Sequence, residues 1–130
     1  MTRRLTLLAV AALAAACGDA TGPWRFGGTY HVIGLNAPAD TAFTGSLTLA
    51  PTGADSVIVF ATFAGNSGDW RGEGVVQGDT VTLSVAPTGI ADIGRGFTGT
   101  LTRSDISGTW VAQGFTPYPP AHGTFTAHRS

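Results

Sequence analysis

The 130-residue sequence has no lysine, one cysteine and few charged side chains, which make up 12% of the chain. A single cysteine cannot form an internal disulfide, so the fold must be stable without one. Past position 16 there are 5 basic and 8 acidic residues, and the net charge of this part is near −3. Because the arginines there are few and scattered, they cannot neutralise a phosphate backbone, and we expect no nucleic acid partner.

No apolar run is long enough to cross a bilayer as a helix, which takes about 20 residues. The apolar run near the start covers only residues 5–16, and Arg3 and Arg4 precede it. A short apolar run behind positive charges is typical of a signal peptide. We therefore assign residues 1–16 to an export signal.

The apolar run ends in Leu-Ala-Ala-Ala-Cys at residues 13–17, where small residues lead into the sole cysteine. This pattern resembles the lipobox of bacterial lipoproteins. The resemblance implies that the Cys17 thiol receives a diacylglycerol and that cleavage leaves Cys17 as the N-terminus. The alternative is ordinary signal cleavage after Ala16, with Cys17 incidental. Lipidation would place the protein in the bacterial cell envelope, in a membrane leaflet that the sequence does not specify.

Residues 17–23 are interpreted as the lipidated N-terminus and a tether, and residues 24–130 as one folded domain. The tether spans at most about 20 Å when extended, so the domain would stay near its membrane.

The domain divides into segments in which apolar and polar residues alternate, separated by clusters of Gly, Pro, Asp and Asn. Alternation with a period of two is the pattern of β-strands with one buried face. In the second segment, for example, Phe43, Leu47 and Leu49 alternate with Thr44 and Thr48. We predict eight strands, at residues 24–35, 41–50, 55–64, 69–77, 79–86, 94–103, 105–113 and 122–129.

Consecutive strands joined by short connections predict an all-β fold, a small up-and-down antiparallel β-barrel. Closure of the barrel removes both free sheet edges without a covering helix. A two-sheet β-sandwich is the alternative. A membrane-spanning barrel is disfavoured because the chain has no aromatic girdles and ends in His128, Arg129 and Ser130.

The longer connections of such a meander gather at one end of the barrel, which we call the mouth. They are predicted at residues 36–40, 65–68, 87–93 and 114–121. The tight turns lie at the opposite, closed end, where the tether also joins. The mouth is therefore predicted to face away from the membrane.

An eight-stranded meander with a Gly-x-Trp near its first strand resembles the calycin group, which includes lipocalins and avidins. Gly-Pro-Trp at residues 22–24 stands at that place, and Gly-Thr-Tyr at residues 28–30 is a second candidate. The resemblance implies that a basic residue near the last strand packs over the first-strand aromatic ring. Arg129 is predicted to make this cation–π contact with Trp24. No ligand-binding residue of the group carries over to this sequence.

Six aromatic side chains share the apolar face of the predicted strands: Tyr30, Phe43, Trp70, Phe97, Trp110 and Phe125. They form either a pocket for a small apolar ligand or the filled core of a narrow barrel. Eight strands enclose little more than their own side chains, which favours the filled core.

No constellation of catalytic or metal-binding residues is evident, and we predict a protein that is not an enzyme and uses no cofactor or metal. His31 and His122 could meet across the barrel, but two imidazoles without a third ligand make a poor metal site. The glycines of residues 94–99 match the dinucleotide pattern GxGxxG without the strand-turn-helix setting that it requires.

Two features indicate contact with a partner. Ile58 and Phe60 lie on the outer face of a strand that is apolar on both faces, and the Pro-rich mouth loop 115–120 carries Phe115 and Tyr118. The leading hypothesis is a lipid-anchored, non-enzymatic module that presents its mouth loops to an envelope protein. The alternative is a lipocalin-like carrier of a small apolar ligand.

Overall fold

The computed structural model of the protein describes residues 23–36, 40–66, 68–89, 93–114 and 121–130. No helix among these residues is long and apolar enough to cross a membrane. Within them the chain forms one short 3-10 helix and eight strands: η1 (Pro23–Phe26), β1 (Gly28–Asn36), β2 (Asp40–Pro51), β3 (Ser56–Phe63), β4 (Trp70–Gln77), β5 (Thr80–Pro87), β6 (Gly94–Thr102), β7 (Asp105–Gln113) and β8 (His122–Arg129).

The eight strands form a closed antiparallel barrel in which each strand pairs with its neighbours along the chain. The barrel closes where β8 pairs with β1, a junction that we call the seam, with Tyr30 opposite Arg129 and Gly34 opposite Phe125. The predicted up-and-down β-barrel is confirmed. The alternative sandwich is excluded, since the hydrogen-bonded ladder runs around the whole barrel without a break.

The first strand begins later than predicted, at Gly28 instead of residue 24, because residues 23–26 form η1. The Gly27 amide donates to the Trp24 carbonyl oxygen at 3.2 Å. Gly28 then adopts a φ of 129°, a value that favours glycine. This turn carries Phe26 under the closed end of the barrel, where its side chain is completely buried.

The inner face of the barrel is apolar and the outer face is rich in threonine, as the alternation predicts. Most aromatic side chains of the interior lie in the half nearer the mouth: Phe43, Phe63, Trp70, Phe97, Trp110 and Phe125. The other half is largely aliphatic, with Leu49, Val57, Val76, Val81, Leu101, Ile106 and Ala127. The interior is therefore chemically different at its two ends.

The closed end is sealed by contacts between η1 and the seam. Tyr30 Oη donates to the Phe26 carbonyl oxygen at 2.8 Å, and the Arg129 guanidinium lies 5.0 Å from the centre of the Tyr30 ring. Arg129 also donates to Tyr30 Oη and, at 2.6 Å, to the Arg25 carbonyl oxygen. The predicted contact of Arg129 with Trp24 is wrong, because Trp24 lies in η1 and is 54% exposed. Residues 28–30, the second calycin-like candidate, supply the ring instead.

Candidate functional site

All six aromatic residues predicted to face inward lie inside the barrel, and none is more than 6% exposed. Tyr30 belongs to the closed end, and the other five lie in the mouth half. Phe63, which the sequence analysis did not assign to this set, joins them at 3% exposure. We call the side chains of Phe43, Phe63, Trp70, Phe97, Trp110 and Phe125 the aromatic layer.

The rings of the aromatic layer meet edge to face, an arrangement that aromatic pairs favour. Phe43 is central: its ring centre lies 5.4 Å from that of Phe63, 5.9 Å from Phe97 and 5.0 Å from Trp110. Trp110 is held in addition by its indole nitrogen, which donates to the Leu35 carbonyl oxygen at 3.0 Å. The layer is a connected cluster and not a set of separate side chains.

Glycines on the inner face leave room for these rings, and the rings fill that room. A methyl group built on Gly34 would lie 2.2 Å from a ring carbon of Phe43. One built on Gly99 would lie 2.8 Å from Phe125 and from Ile106. At these positions the interior is occupied by protein side chains, as the filled-core interpretation predicts.

Arg95 is the feature of the mouth that the sequence analysis missed. It lies at the start of β6, two residues before Phe97 and on the same face, so its side chain enters the barrel. The guanidinium carbon lies 4.4 Å from the ring centres of Phe43 and Phe63 and 4.9 Å from that of Trp70. Three strands separate β6 from β2 in either direction around the barrel. The side chain of Arg95 therefore crosses the mouth and lies over three of the six rings of the aromatic layer.

Two polar atoms are buried at this point without a described hydrogen-bond partner: Nη1 of Arg95 and Nε1 of Trp70. A buried donor without an acceptor costs about 1–3 kcal/mol, and such groups are rare enough in native proteins to need a reason. Burial also lowers the pKa of Arg95, because desolvation disfavours the charged guanidinium. At the mouth, two donors thus lie against aromatic rings without an acceptor among the described residues, and one of the two is cationic.

One signal in the sequence points to Arg95. It has the same parity as Phe97, Gly99 and Leu101, so the alternation that places them inside also places Arg95 inside. Its ring partners come from three other strands, so its contacts with them depend on the register of the whole barrel and do not follow from local alternation.

The two outer-face residues predicted to contact a partner, Phe60 and Ile58, differ in exposure. Phe60 is 45% exposed, with the Arg71 guanidinium carbon 5.2 Å from its ring centre. Ile58 is half-buried and lines a shallow groove with Arg71 and Glu73. Three other predicted site residues lie outside the described part of the chain: Cys17, Phe115 and Tyr118.

The histidines are arranged differently from the prediction. His31 pairs across the seam with His128 and not with His122. Nδ1 of His128 makes a short hydrogen bond with a carboxylate oxygen of Asp105 on the adjacent strand. Among the described residues, no group of three side chains is placed to hold a metal ion.

The barrel is similar to several solved structures. One is a redesigned β-barrel, b11L5F_LGL, with a TM-score of 0.69 at 16% identity, covering 85% of this chain and 96% of that chain. Another is EF1p2_mFAP2b bound to DFHBI, with a TM-score of 0.67 at 15% identity, covering 85% and 98%. A third is a redesigned barrel, mFAP1, bound to DFHBI, with a TM-score of 0.63 at 19% identity, covering 85% and 100%.

No protein-family model and no curated protein matches the chain. At these identities the structural likeness establishes the fold alone: this chain folds as a closed, eight-stranded antiparallel β-barrel.

Proposed function

We propose that this protein is a non-enzymatic binding barrel that takes a small molecule at its mouth and is held at a bacterial membrane through a lipid on Cys17. The observation that carries the binding role is the position of Arg95. Its guanidinium lies over three aromatic rings, and its Nη1 has no acceptor among the described residues. Polar donors converging on an apolar surface are typical of small-molecule sites.

The ligand is expected at the mouth, above or in place of the Arg95 side chain, because the space below is filled. A methyl group on Gly34 would already meet the ring of Phe43 at 2.2 Å. This differs from a carrier that encloses its ligand at the centre of the barrel. Two structures of the same fold are bound to DFHBI, which supports the view that such a barrel can accommodate a ligand.

A binding role without catalysis is supported by the chemistry of the interior. Among the described residues, no carboxylate or imidazole is buried in the barrel. General acid–base catalysis usually relies on such a group beside the substrate. The guanidinium of Arg95 can hold an anion, but arginine stays protonated in proteins and transfers no proton.

The anchor proposal rests on the pattern at residues 13–17 and on the position of η1. Because η1 lies under the closed end, a tether that precedes it would leave the mouth facing away from the membrane. Replacing Cys17 by Ser should remove the lipid mass and shift the protein from the detergent phase to the aqueous phase. If the variant still partitions with detergent, the proposed anchor is wrong.

Binding at the mouth is tested by native mass spectrometry of the lipidated protein after gentle extraction from its producing cells. We expect a stoichiometric small molecule that is lost on denaturation. The proposal fails if the intact mass equals that of protein and lipid and if no small-molecule probe alters the fluorescence of Trp70.

A second candidate, docking of an envelope protein, is favoured by the exposure of Phe60 on the outer face. Cross-linking in intact cells tests it. A partner captured by the wild type but not by Phe60→Ser would place the interaction on β3, away from the mouth.

A further inference from the structure

We infer that the ligand of the mouth is an anion with an aromatic body, held by Arg95 through its negative group and by the aromatic layer through its rings. This inference rests on the proposed function, because it names the class of molecule that the same site would bind. It is carried by three features of the described residues: the surroundings of Arg95, the lack of an acceptor for its Nη1, and the aromatic rings packed beneath it.

The surroundings of Arg95 set it apart from other arginines of the barrel. Arg25 forms an ion pair with Asp79 at 2.5 Å, and Arg129 donates to two oxygens at the closed end. Arg71 lies on the outer face over Phe60. Arg95 is surrounded by rings, and no described residue accepts a hydrogen bond from its Nη1. Within the described ranges no carboxylate forms an ion pair with Arg95, whereas buried charges are normally paired.

The guanidinium of Arg95 indicates which chemical group of a ligand would bind to it. Its planar set of donors matches the two oxygens of a carboxylate or sulfonate, and bonds of this kind are stronger than those between neutral groups. The indole nitrogen of Trp70 is a second donor without an acceptor in the described part of the chain, and its ring centre lies 4.9 Å from the Arg95 guanidinium carbon. Together they favour an anionic oxygen group over a neutral one.

The aromatic rings beneath Arg95 indicate what the rest of the ligand should be. Phe43, Phe63 and Trp70 now pack against the flat guanidinium. When the flexible Arg95 side chain turns toward an incoming anion, those ring surfaces become free for an apolar group. A flat aromatic body fits this exchange, because it replaces one planar partner of the rings by another.

Two dyes with the same aromatic rings distinguish binding through the negative group from binding through the rings. Anilinonaphthalenesulfonate (ANS) and N-phenylnaphthylamine (NPN) share their aromatic rings, and only ANS carries a sulfonate. Both are titrated by fluorescence into residues 18–130, which include the whole closed barrel and need no detergent. A charge-assisted hydrogen bond contributes enough to predict that ANS binds about 10- to 100-fold more tightly than NPN.

Arg95→Met keeps the length and the apolar stem of the side chain and removes the charge. It should lower ANS affinity to the level of NPN. Arg71→Met, a matched loss of one arginine on the outer face, should leave ANS affinity unchanged. Arg95→Lys keeps the charge without the planar donors, and an intermediate loss is expected. This last variant gives a result even if Arg95→Met fails to fold, as a thermal melt of each variant would show.

Several outcomes would overturn the inference. Equal affinity for ANS and NPN would leave a binding mouth without anion selection, so the proposed function would survive. ANS preference that persists in Arg95→Met would place the anion elsewhere. Asp92 lies near Arg95 in the sequence and outside the described residues, and tighter ANS binding in Asp92→Asn would show that the chain supplies its own anion. If neither dye binds and no ligand copurifies, the proposed function fails as well.

Discussion

The filled interior can be tested by adding one methyl group, in the substitution Gly34→Ala. The new Cβ would lie 2.2, 2.3 and 2.8 Å from three carbons of the Phe43 ring, so the ring or the strand must move. Gly34 does not have a positive φ, and the substitution therefore tests packing and not backbone strain. The ring cannot turn away freely, because three other rings and the Arg95 guanidinium contact it.

The size of the effect follows from these contacts. Overpacking a tight core costs about 1–3 kcal/mol, and each edge-to-face ring contact that is lost costs about 0.5–1.5 kcal/mol. With relief from partial movement of Phe43, we expect Gly34→Ala to lower the free energy of unfolding by about 2–4 kcal/mol. Small domains are stable by only about 5–15 kcal/mol in total.

The assay is urea unfolding followed by tryptophan fluorescence. Gly53→Ala is the matched control: a methyl group added there would meet nothing within 4 Å, and the φ of Gly53 is not positive, so the stability of this variant should stay within about 0.5 kcal/mol of wild type. Combining Gly34→Ala with Phe43→Leu, which removes the clashing ring, should cost less than the sum of the two single changes. If Gly34→Ala alone is as stable as wild type, the rings have spare room, and a ligand enclosed deep in the barrel becomes the better proposal.

Three further substitutions test other parts of the barrel. Tyr30→Phe removes a hydroxyl that bonds at the closed end and should cost about 1–2 kcal/mol at neutral pH. Burial raises the pKa of Tyr30 above its ordinary 10.0, so the wild type should lose stability as the pH rises past 10, whereas the variant should lose less; thermal melts across this range measure both effects. Gly78→Ala forces alanine to a φ of 62° in a turn with open space and should lower the melting temperature through a cost of about 1–2 kcal/mol. Trp110→Phe leaves the Leu35 carbonyl oxygen without its indole donor, and chemical unfolding should show a loss of about 1–2 kcal/mol. Unchanged stability would contradict the described hydrogen bonds of Tyr30 and Trp110 or, for Gly78→Ala, the positive φ of that turn.

The strands and the inner face were predictable because a period of two is a local signal. In β2, for example, the solvent-facing side carries Thr44 and Thr48, and the buried side carries Leu47 and Leu49. Barrel closure followed from counting edges, since eight strands without a covering helix leave two edges unpaired unless they meet. Neither argument needs the position of any distant residue.

The site was less predictable, for a physical reason. Arg95 obeys the inward parity of β6, but a charged side chain inside a barrel is stable only where other strands supply suitable surfaces. Those surfaces are Phe43, Phe63 and Trp70, and their approach depends on the register of all the strands between them. Trp24 illustrates the same limit, because η1 takes it out of the strand in which alternation had placed it.

The seam has a consequence for how the barrel forms. Most strands pair with the strand just made, so hairpins along the chain can assemble from nearby residues. Tyr30 and Arg129, by contrast, are separated by 99 positions, and their contact requires both ends of the barrel sequence. Closing such a long loop is slow compared with local pairing. We therefore expect the amides of β1 and β8 to gain protection from hydrogen exchange last during refolding. Before the barrel closes, these two strands have unpaired edges, and we expect the chain to be most prone to aggregate in that state.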